Sequence, residues 1–216
     1  MTRSFFQSAC YCSLGLIIML IGSAVFGQNK KIKKQKMTQS YETAVFAGGC
    51  FWCTEALFLE LDGVLSIKPG YCGGRIPHPT YEAVCTGKTG HAEAVEIHFD
   101  PNKISFATLL QVFFATHDPT TLNRQGNDSG TQYRSAVFYQ NEAQQSQTKA
   151  YVDQLTKAHT FKSAIVTQIV AACPFYEAED YHKNYYNRNK DKGYCEYVIT
   201  PKVEKVQHQF KGLLKK

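Results

Sequence analysis

Thr43-Ala44-Val45-Phe46-Ala47-Gly48-Gly49-Cys50-Phe51-Trp52-Cys53-Thr54-Glu55-Ala56-Leu57-Phe58-Leu59-Glu60-Leu61-Asp62-Gly63 reads as strand, turn and helix in succession. Thr43 to Ala47 is a short apolar run of the kind a buried strand uses. Gly48-Gly49 interrupts it, Phe51 to Leu61 carries helix-forming residues, and Asp62-Gly63 is a stop signal. Cys50 therefore falls where a strand turns into a helix N-terminus. Unpaired N–H groups and the positive end of the helix dipole converge at such a place, and a thiol there is expected to ionise more easily and act as a nucleophile. The plainer reading of a cysteine is a buried free thiol. The Gly-Gly entry and a second thiol at Cys53 favour the reactive one.

Working outward, Val64 to Tyr71 reads as a strand ending at Gly73-Gly74. Ala92 to Phe99 alternates, with Glu93, Val95, Ile97 and Phe99 on one face and Ala92, Ala94, Glu96 and His98 on the other. Ser105 to Ala115 is an apolar helix and Gln132 to Tyr139 a strand. This β-α-β-β-α-β order predicts an α+β protein whose two-layer core is ferredoxin-like (split β-α-β), with a C-terminal extension. In the extension, Glu142 to Ala158 reads as an amphipathic helix, Ile165 to Ala171 as a strand, and Ala178 to Asn189 as a polar, Tyr-rich helix. The remainder reads as mostly irregular.

The chain has 216 residues, 44% of them hydrophobic and 13% aromatic, enough for a sizeable core without staples. Its net charge of +6 is uneven. Lys30, Lys31, Lys33, Lys34 and Lys36 crowd one segment, and Lys202, Lys205, Lys211, Lys215 and Lys216 crowd the C-terminus. Setting residues 1–36 and 202–216 aside leaves 13 basic and 17 acidic residues, a net charge of −4. A mildly acidic body argues against nucleic acid as a partner. A lysine run in a tail is ordinarily a solvated arm.

Residues 1–27 have the form of a leader, with Arg3 followed by the apolar stretch Leu14 to Phe26. That stretch suits a signal peptide better than a membrane span, although the lysines after it disfavour translocation. The expected division is a signal peptide or membrane anchor over 1–27, a basic polar linker over 28–41, a catalytic domain over 42–200 and a basic tail over 201–216. The expected location is outside the cytoplasm, periplasmic or extracellular, or anchored through residues 1–27.

Cys50 and Cys53 form a Cys-x-x-Cys motif that suits a nucleophile with a nearby resolving thiol. A zinc site would want a second close pair, which Cys72 and Cys85 do not supply, so no metal is expected. The bulky Phe51-Trp52 interior is unlike a thioredoxin motif. Trp52 reads equally as the wall of an apolar pocket or as an anchor for the helix. Glu93 shares its face with three apolar residues. Buried, it would be a raised-pKa acid; periodicity alone favours a rim glutamate that turns to water. The loop Gly126-Asn127-Asp128-Ser129-Gly130 consists of ordinary turn residues, and His182, Tyr185 and Tyr186 read best as core.

Taken together the motifs closely resemble the A-type peptide methionine sulfoxide reductases. The matching pieces are Gly49-Cys50-Phe51-Trp52, Gly70-Tyr71 with Gly73-Gly74, Pro79-Thr80-Tyr81, Thr89-Gly90-His91-Ala92-Glu93-Ala94-Val95, His117-Asp118-Pro119, and Arg124 through Asp128 with Gly130 through Ser135. Pro174-Phe175-Tyr176, Ala178 through His182 and Gly193-Tyr194-Cys195 complete the collinear match over roughly residues 43–200.

The resemblance implies that Cys50 attacks the sulfoxide sulfur and that Glu93 protonates the sulfoxide oxygen. It further implies that Tyr81 and Tyr133 donate hydrogen bonds to that oxygen, that Asp128 belongs to the same network, and that Phe51 and Trp52 take the S-methyl group. Cys50 would become a sulfenic acid, resolved to a disulfide by Cys195, the first choice, or by Cys53. The reductant would be thioredoxin or a similar dithiol, with no bound cofactor. The substrates would be oxidised proteins or peptides carrying the S epimer of methionine sulfoxide, and the enzyme a monomer. Cys72, Cys85 and Cys173 are expected to be structural thiols. A noncatalytic redox sensor on the same scaffold would lose the acid or the donors, whereas Glu93, Tyr81 and Tyr133 are all present. A thioredoxin-like disulfide exchanger would not need Glu93.

Overall fold

A computed structural model describes residues 41–216. The readings of residues 1–27 and 28–40 lie outside the described residues.

The elements are β1 (Glu42–Gly48), α1 (Phe51–Leu59), β2 (Val64–Cys72), α2 (Tyr81–Cys85), β3 (Ala92–Phe99), α3 (Phe106–Thr116), β4 (Arg124–Gln125), β5 (Asp128–Ser129), β6 (Ser135–Tyr139), α4 (Glu142–Lys157), β7 (Gln168–Ala171), β8 (Tyr176–Glu177), α5 (Tyr185–Arg188) and α6 (Thr200–Gln209). Six strands form one mixed, mostly antiparallel sheet in the order β7-β6-β1-β3-β2-β8, with only β6 and β7 parallel. β4 and β5 make a separate two-stranded hairpin.

Alternation along the central strands divides the apolar residues between the two faces of the sheet. Ala44, Phe46, Val95, Ile97, Phe99 and Val137 join the large cluster, to which α1, α3, α4 and α6 contribute. Val45, Ala47, Ala92, Ala94, Ala136 and Phe138 form a smaller cluster on the opposite face. Ser105 and Asn141 cap α3 and α4 by accepting from Thr108 N and Gln144 N, which satisfies orphan donors of the first turn.

The sequence reading misjudged the C-terminal half in three places. Ala178 to Asn189 is no continuous helix: a 3₁₀ turn at Asp180–His182 leads through Asn184, at φ 49°, into the four-residue α5. Gln132 to Tyr139 starts as a 3₁₀ turn at Thr131–Tyr133 and becomes strand only at Ser135. The end of the chain is not an irregular tail. A π turn at Cys195–Ile199 runs into α6, which buries Val203 and Val206 against α1 and α3. Leu214 then bridges to Leu61, and Lys215 N donates to Glu60 O at 2.9 Å. The lysines masked this helix because they occupy its solvent face while two valines three residues apart hold the other.

Cys72 and Cys173, read as structural thiols, are instead joined to each other by a disulfide across 101 residues. β2 pairs with β8 through only two residue pairs, so the bond reinforces a short ladder. Spacing could not disclose it, because the pairing depends on how the chain returns to the sheet edge. Among the described residues no helix is long and apolar enough to cross a membrane.

Candidate active site

The strand-turn-helix of the opening motif delivers Cys50 to the N-cap of α1. Gly49 makes the turn at φ +91°, and a Cβ there would also meet Gln125. The Cys50 carbonyl accepts from Cys53 N at 3.1 Å and Thr54 N at 3.4 Å, starting the helix. The register that pairs Phe46 with Val95 sets Glu93, on the neighbouring strand, level with Gly48 at the end of β1. Glu93 is only 2% exposed, and its Oε2 accepts from Phe51 N at 3.0 Å. It is therefore a buried acid and not the rim glutamate that periodicity favoured.

Burial holds Glu93 protonated, pushing its pKa up to about 8; the Phe51 N–H works against this, while the charges of Asp128 and Cys53 add to it. A carboxyl protonated at neutral pH is a proton donor. The two thiols beside it behave as a pair. Burial raises Cys50 well above the ordinary thiol value, with the Cys53 hydrogen bond and Glu93 adding to it. Cys53 is brought down to about 7, chiefly by the hydrogen bond from Cys50, against its own burial. At Cys50, then, desolvation outweighs the helix N-terminus, which corrects its expected easy ionisation. The first ionisation belongs to the pair and rests on Cys53.

Tyr81 opens α2 and Tyr133 ends the 3₁₀ turn before β6. Burial keeps both phenols protonated, and both feel the charge of Glu93. They are O–H groups in the neighbourhood of Glu93. Asp128, on β5, accepts from Tyr194 Oη at 2.8 Å. The same hydroxyl lies 3.7 Å from Cys53 Sγ. The residues singled out at Cys50, Cys53, Tyr81, Glu93, Asp128 and Tyr133 are thus brought together from α1, α2, β3, β5 and the turn before β6.

Phe51 is 1% exposed, ringed by Tyr71, Tyr81 and His182, and anchors α1. Trp52 remains half-buried. Its Nε1 donates to His182 Nδ1 at 3.0 Å, and its ring stacks on Tyr185 with centroids 3.7 Å apart. His182 is fully buried, Tyr186 lies in the main cluster and Tyr185 packs against it, as the core reading had them; His182 and Tyr185 also hold Trp52 in place. Glu179 reinforces the same region, accepting from Tyr71 Oη at 2.7 Å and Tyr81 N at 2.9 Å. Tyr194 and Glu179 were quoted in the sequence motifs without a role, because nothing local marks a residue whose partners are roughly 70 to 140 positions away.

Cys195 is fully buried in the main core at the start of the π turn, and burial raises its pKa. Cys85 is an exposed free thiol at the end of α2. Among the described residues no group of three or more His, Cys, Asp or Glu side chains is arranged to hold a metal ion. A cavity of about 630 Å³ opens beside α3 and α6 between Phe114, Asp118, Lys162 and Lys205, and none of the reactive groups lines it. Chemistry, not cavity size, locates the site.

The family model described as peptide methionine sulfoxide reductase matches residues 42–213. The peptide methionine sulfoxide reductase MsrA of Deinococcus radiodurans is 54% identical over 169 residues, covering 78% of this chain and 82% of that one. The enzyme of the same description from Chromobacterium violaceum is 52% identical over 173 residues, covering 80% and 98%. Among solved structures, methionine sulfoxide reductase A of Corynebacterium diphtheriae is 37% identical with a TM-score of 0.64, covering 73% of this chain and 78% of that one. Mxr1 of Saccharomyces cerevisiae in reduced form is 33% identical with a TM-score of 0.68, covering 72% and 89%. The matched span includes α6. With the thiol pair, the buried acid and the phenol donors in one place, this chain belongs to the peptide methionine sulfoxide reductase family.

Proposed function

We propose the following division of labour as this thiol-dependent oxidoreductase reduces methionine-S-sulfoxide in peptides. The sulfoxide oxygen is received by Glu93, Tyr81 and Tyr133, and the S-methyl group lies against Trp52 and Phe51. Cys53 takes the shared proton of the thiol pair, and the Cys50 thiolate attacks the sulfoxide sulfur. Glu93 transfers its proton to the oxygen. The protonated oxygen passes to the Cys50 sulfur as the substrate S–O bond and the transient bond between the two sulfurs break, so methionine leaves and Cys50 is left as a sulfenic acid. A second thiolate then attacks that sulfur, and hydroxide departs with a proton as water. A thioredoxin-type dithiol reduces the resulting disulfide. The single observation that carries this reading is the Glu93 carboxyl, buried and protonated, hydrogen-bonded to the first residue of the helix that Cys50 caps.

For the resolving step we place Cys53 ahead of Cys195. Cys50 and Cys53 lie near enough that each shifts the ionisation of the other, whereas Cys195 is packed into the core, where burial raises its pKa. Single turnover without reductant, followed by peptide mapping, tests this. A Cys50–Cys53 disulfide is expected, with Cys53→Ser accumulating sulfenic acid and Cys195→Ser behaving as wild type. A Cys50–Cys195 disulfide would reverse the order.

The strand order β6-β1-β3-β2 supports classing the core as split β-α-β. The enzyme is expected to act as a monomer on oxidised proteins and peptides. The leader-like residues 1–27 and the Cys72–Cys173 disulfide support export, since such bonds persist in oxidising compartments. Mass analysis of the mature chain tests it: residues 1–27 found intact on soluble cytoplasmic protein would exclude export.

A further inference from the structure

We propose that Lys202 is a positioning residue for the second half of the cycle: its ammonium, delivered by α6 beside Cys53, stabilises the Cys53 thiolate that attacks the Cys50 sulfenic acid. The inference rests on Cys53 being the resolving thiol.

A small cavity is lined by Cys53 and Thr54 of α1, Phe113 and Thr116 of α3, the adjoining His117, and Lys202 of α6. Of the C-terminal lysines, Lys205, Lys211, Lys215 and Lys216 are exposed and Lys202 alone is half-buried. It forms no ion pair among the described residues. A partly desolvated ammonium without a counter-ion is costly, and an anion in the same cavity would offset that cost.

The other groups facing Cys53 do not supply positive charge. Asp128 on β5 and, once it has given up its proton, Glu93 on β3 disfavour a thiolate there. Tyr194 contributes a hydroxyl and Cys50 a thiol. His117 is neutral: its Nδ1–H donates to Phe113 O at 2.6 Å, its Nε2 accepts from Ser135 Oγ at 2.8 Å, and burial pushes its pKa down to about 4. Lys202 is the cation that lowers Cys53. Its importance grows after the first step, when the Cys50 thiol that had hydrogen-bonded to Cys53 has become a sulfenic acid and the Glu93 carboxylate has appeared nearby. In the step itself the Cys53 thiolate forms the S–S bond and the Cys50 S–O bond breaks. The sulfenic sulfur is reduced as Cys53 is oxidised, and the hydroxide leaves as water with a solvent proton.

The test is the pH profile of disulfide formation after one turnover on a methionine-S-sulfoxide peptide, in the full chain, with the disulfide mapped at each pH. Lys202→Met keeps the apolar stem and removes the charge. Its midpoint is expected to rise by roughly half a unit to one unit, slowing the step about threefold at neutral pH. Lys202→Arg should restore the wild-type midpoint, which a merely structural role would not require. Lys202→Gln is run alongside, so that a folding defect in one replacement does not stand in for loss of charge. A mapped Cys50–Cys53 disulfide with an unshifted midpoint in Lys202→Met and Lys202→Gln would overturn the role of Lys202 alone. A mapped Cys50–Cys195 disulfide would instead overturn the reading on which it rests.

Discussion

Cys50→Ser is expected to yield no methionine from either epimer of a blocked methionine sulfoxide, a loss of roughly four orders of magnitude or more in rate. A serine hydroxyl at the cap of α1 keeps the geometry but offers neither an accessible anion nor a sulfur that can accept oxygen. In the wild type, one turnover without reductant should release one equivalent of methionine from the S epimer and consume two thiols, since the oxygen ends as water only when a second thiol is oxidised. Residual stoichiometric turnover in Cys50→Ser would remove Cys50 from the nucleophile's role and bring the exposed Cys85 or Cys53 forward. Serine is nearly the size of cysteine, and Cys50 starts α1 through its backbone carbonyl, so the substitution should leave the fold intact.

Glu93→Gln should lower the rate of methionine release by about 10²- to 10⁴-fold, the usual range for removing a positioned acid. The glutamine oxygen can still accept from Phe51 N, so the helix start is preserved while the proton is lost. The pH profile gives the finer check. Wild-type activity should rise with pH as the thiol pair ionises near 7 and fall as Glu93 ionises near 8. Glu93→Gln should lose the falling limb. Stability carries the same signature. The folded state holds a proton that the unfolded chain releases above the ordinary carboxyl value of 4.5. The stabilising contribution of protonated Glu93 is therefore complete below 4.5 and is lost progressively as pH rises towards about 8. Thermal unfolding of the wild type should accordingly lose ground over that window relative to Glu93→Gln. A variant with wild-type activity and an unchanged alkaline limb would show that the proton comes from elsewhere.

Elements with an unambiguous local pattern were legible before any coordinates. The alternation from Ala92 to Phe99 gave β3 with both faces assigned, and the helices read from Ser105 and from Glu142 begin within one residue of α3 and α4. The C-terminal region was not legible in the same way. The Tyr-rich stretch from Ala178 to Asn189 folds as turns because its backbone answers to α1: Asn184 N donates to Glu55 Oε1 at 2.9 Å, and Tyr185 stacks on Trp52. The lysine-rich end hides two valines whose spacing makes a helix only when α1 and α3 offer them a surface.

The sequence by itself determined the chemistry: a thiol at a strand-to-helix junction, a second thiol three residues on, a glutamate on an apolar strand face, and two tyrosines in motifs that together name one family. These are local facts, set by backbone preference and residue type. Only the tertiary structure decided how the groups are tuned. Burial turned Glu93 from a rim carboxylate into an acid and raised Cys50, while contact with Cys50 lowered Cys53. It also joined Cys72 to Cys173 and brought Tyr194 to Asp128. Desolvation and long-range contact depend on what the rest of the chain places around a group, and no stretch of sequence near that group records it.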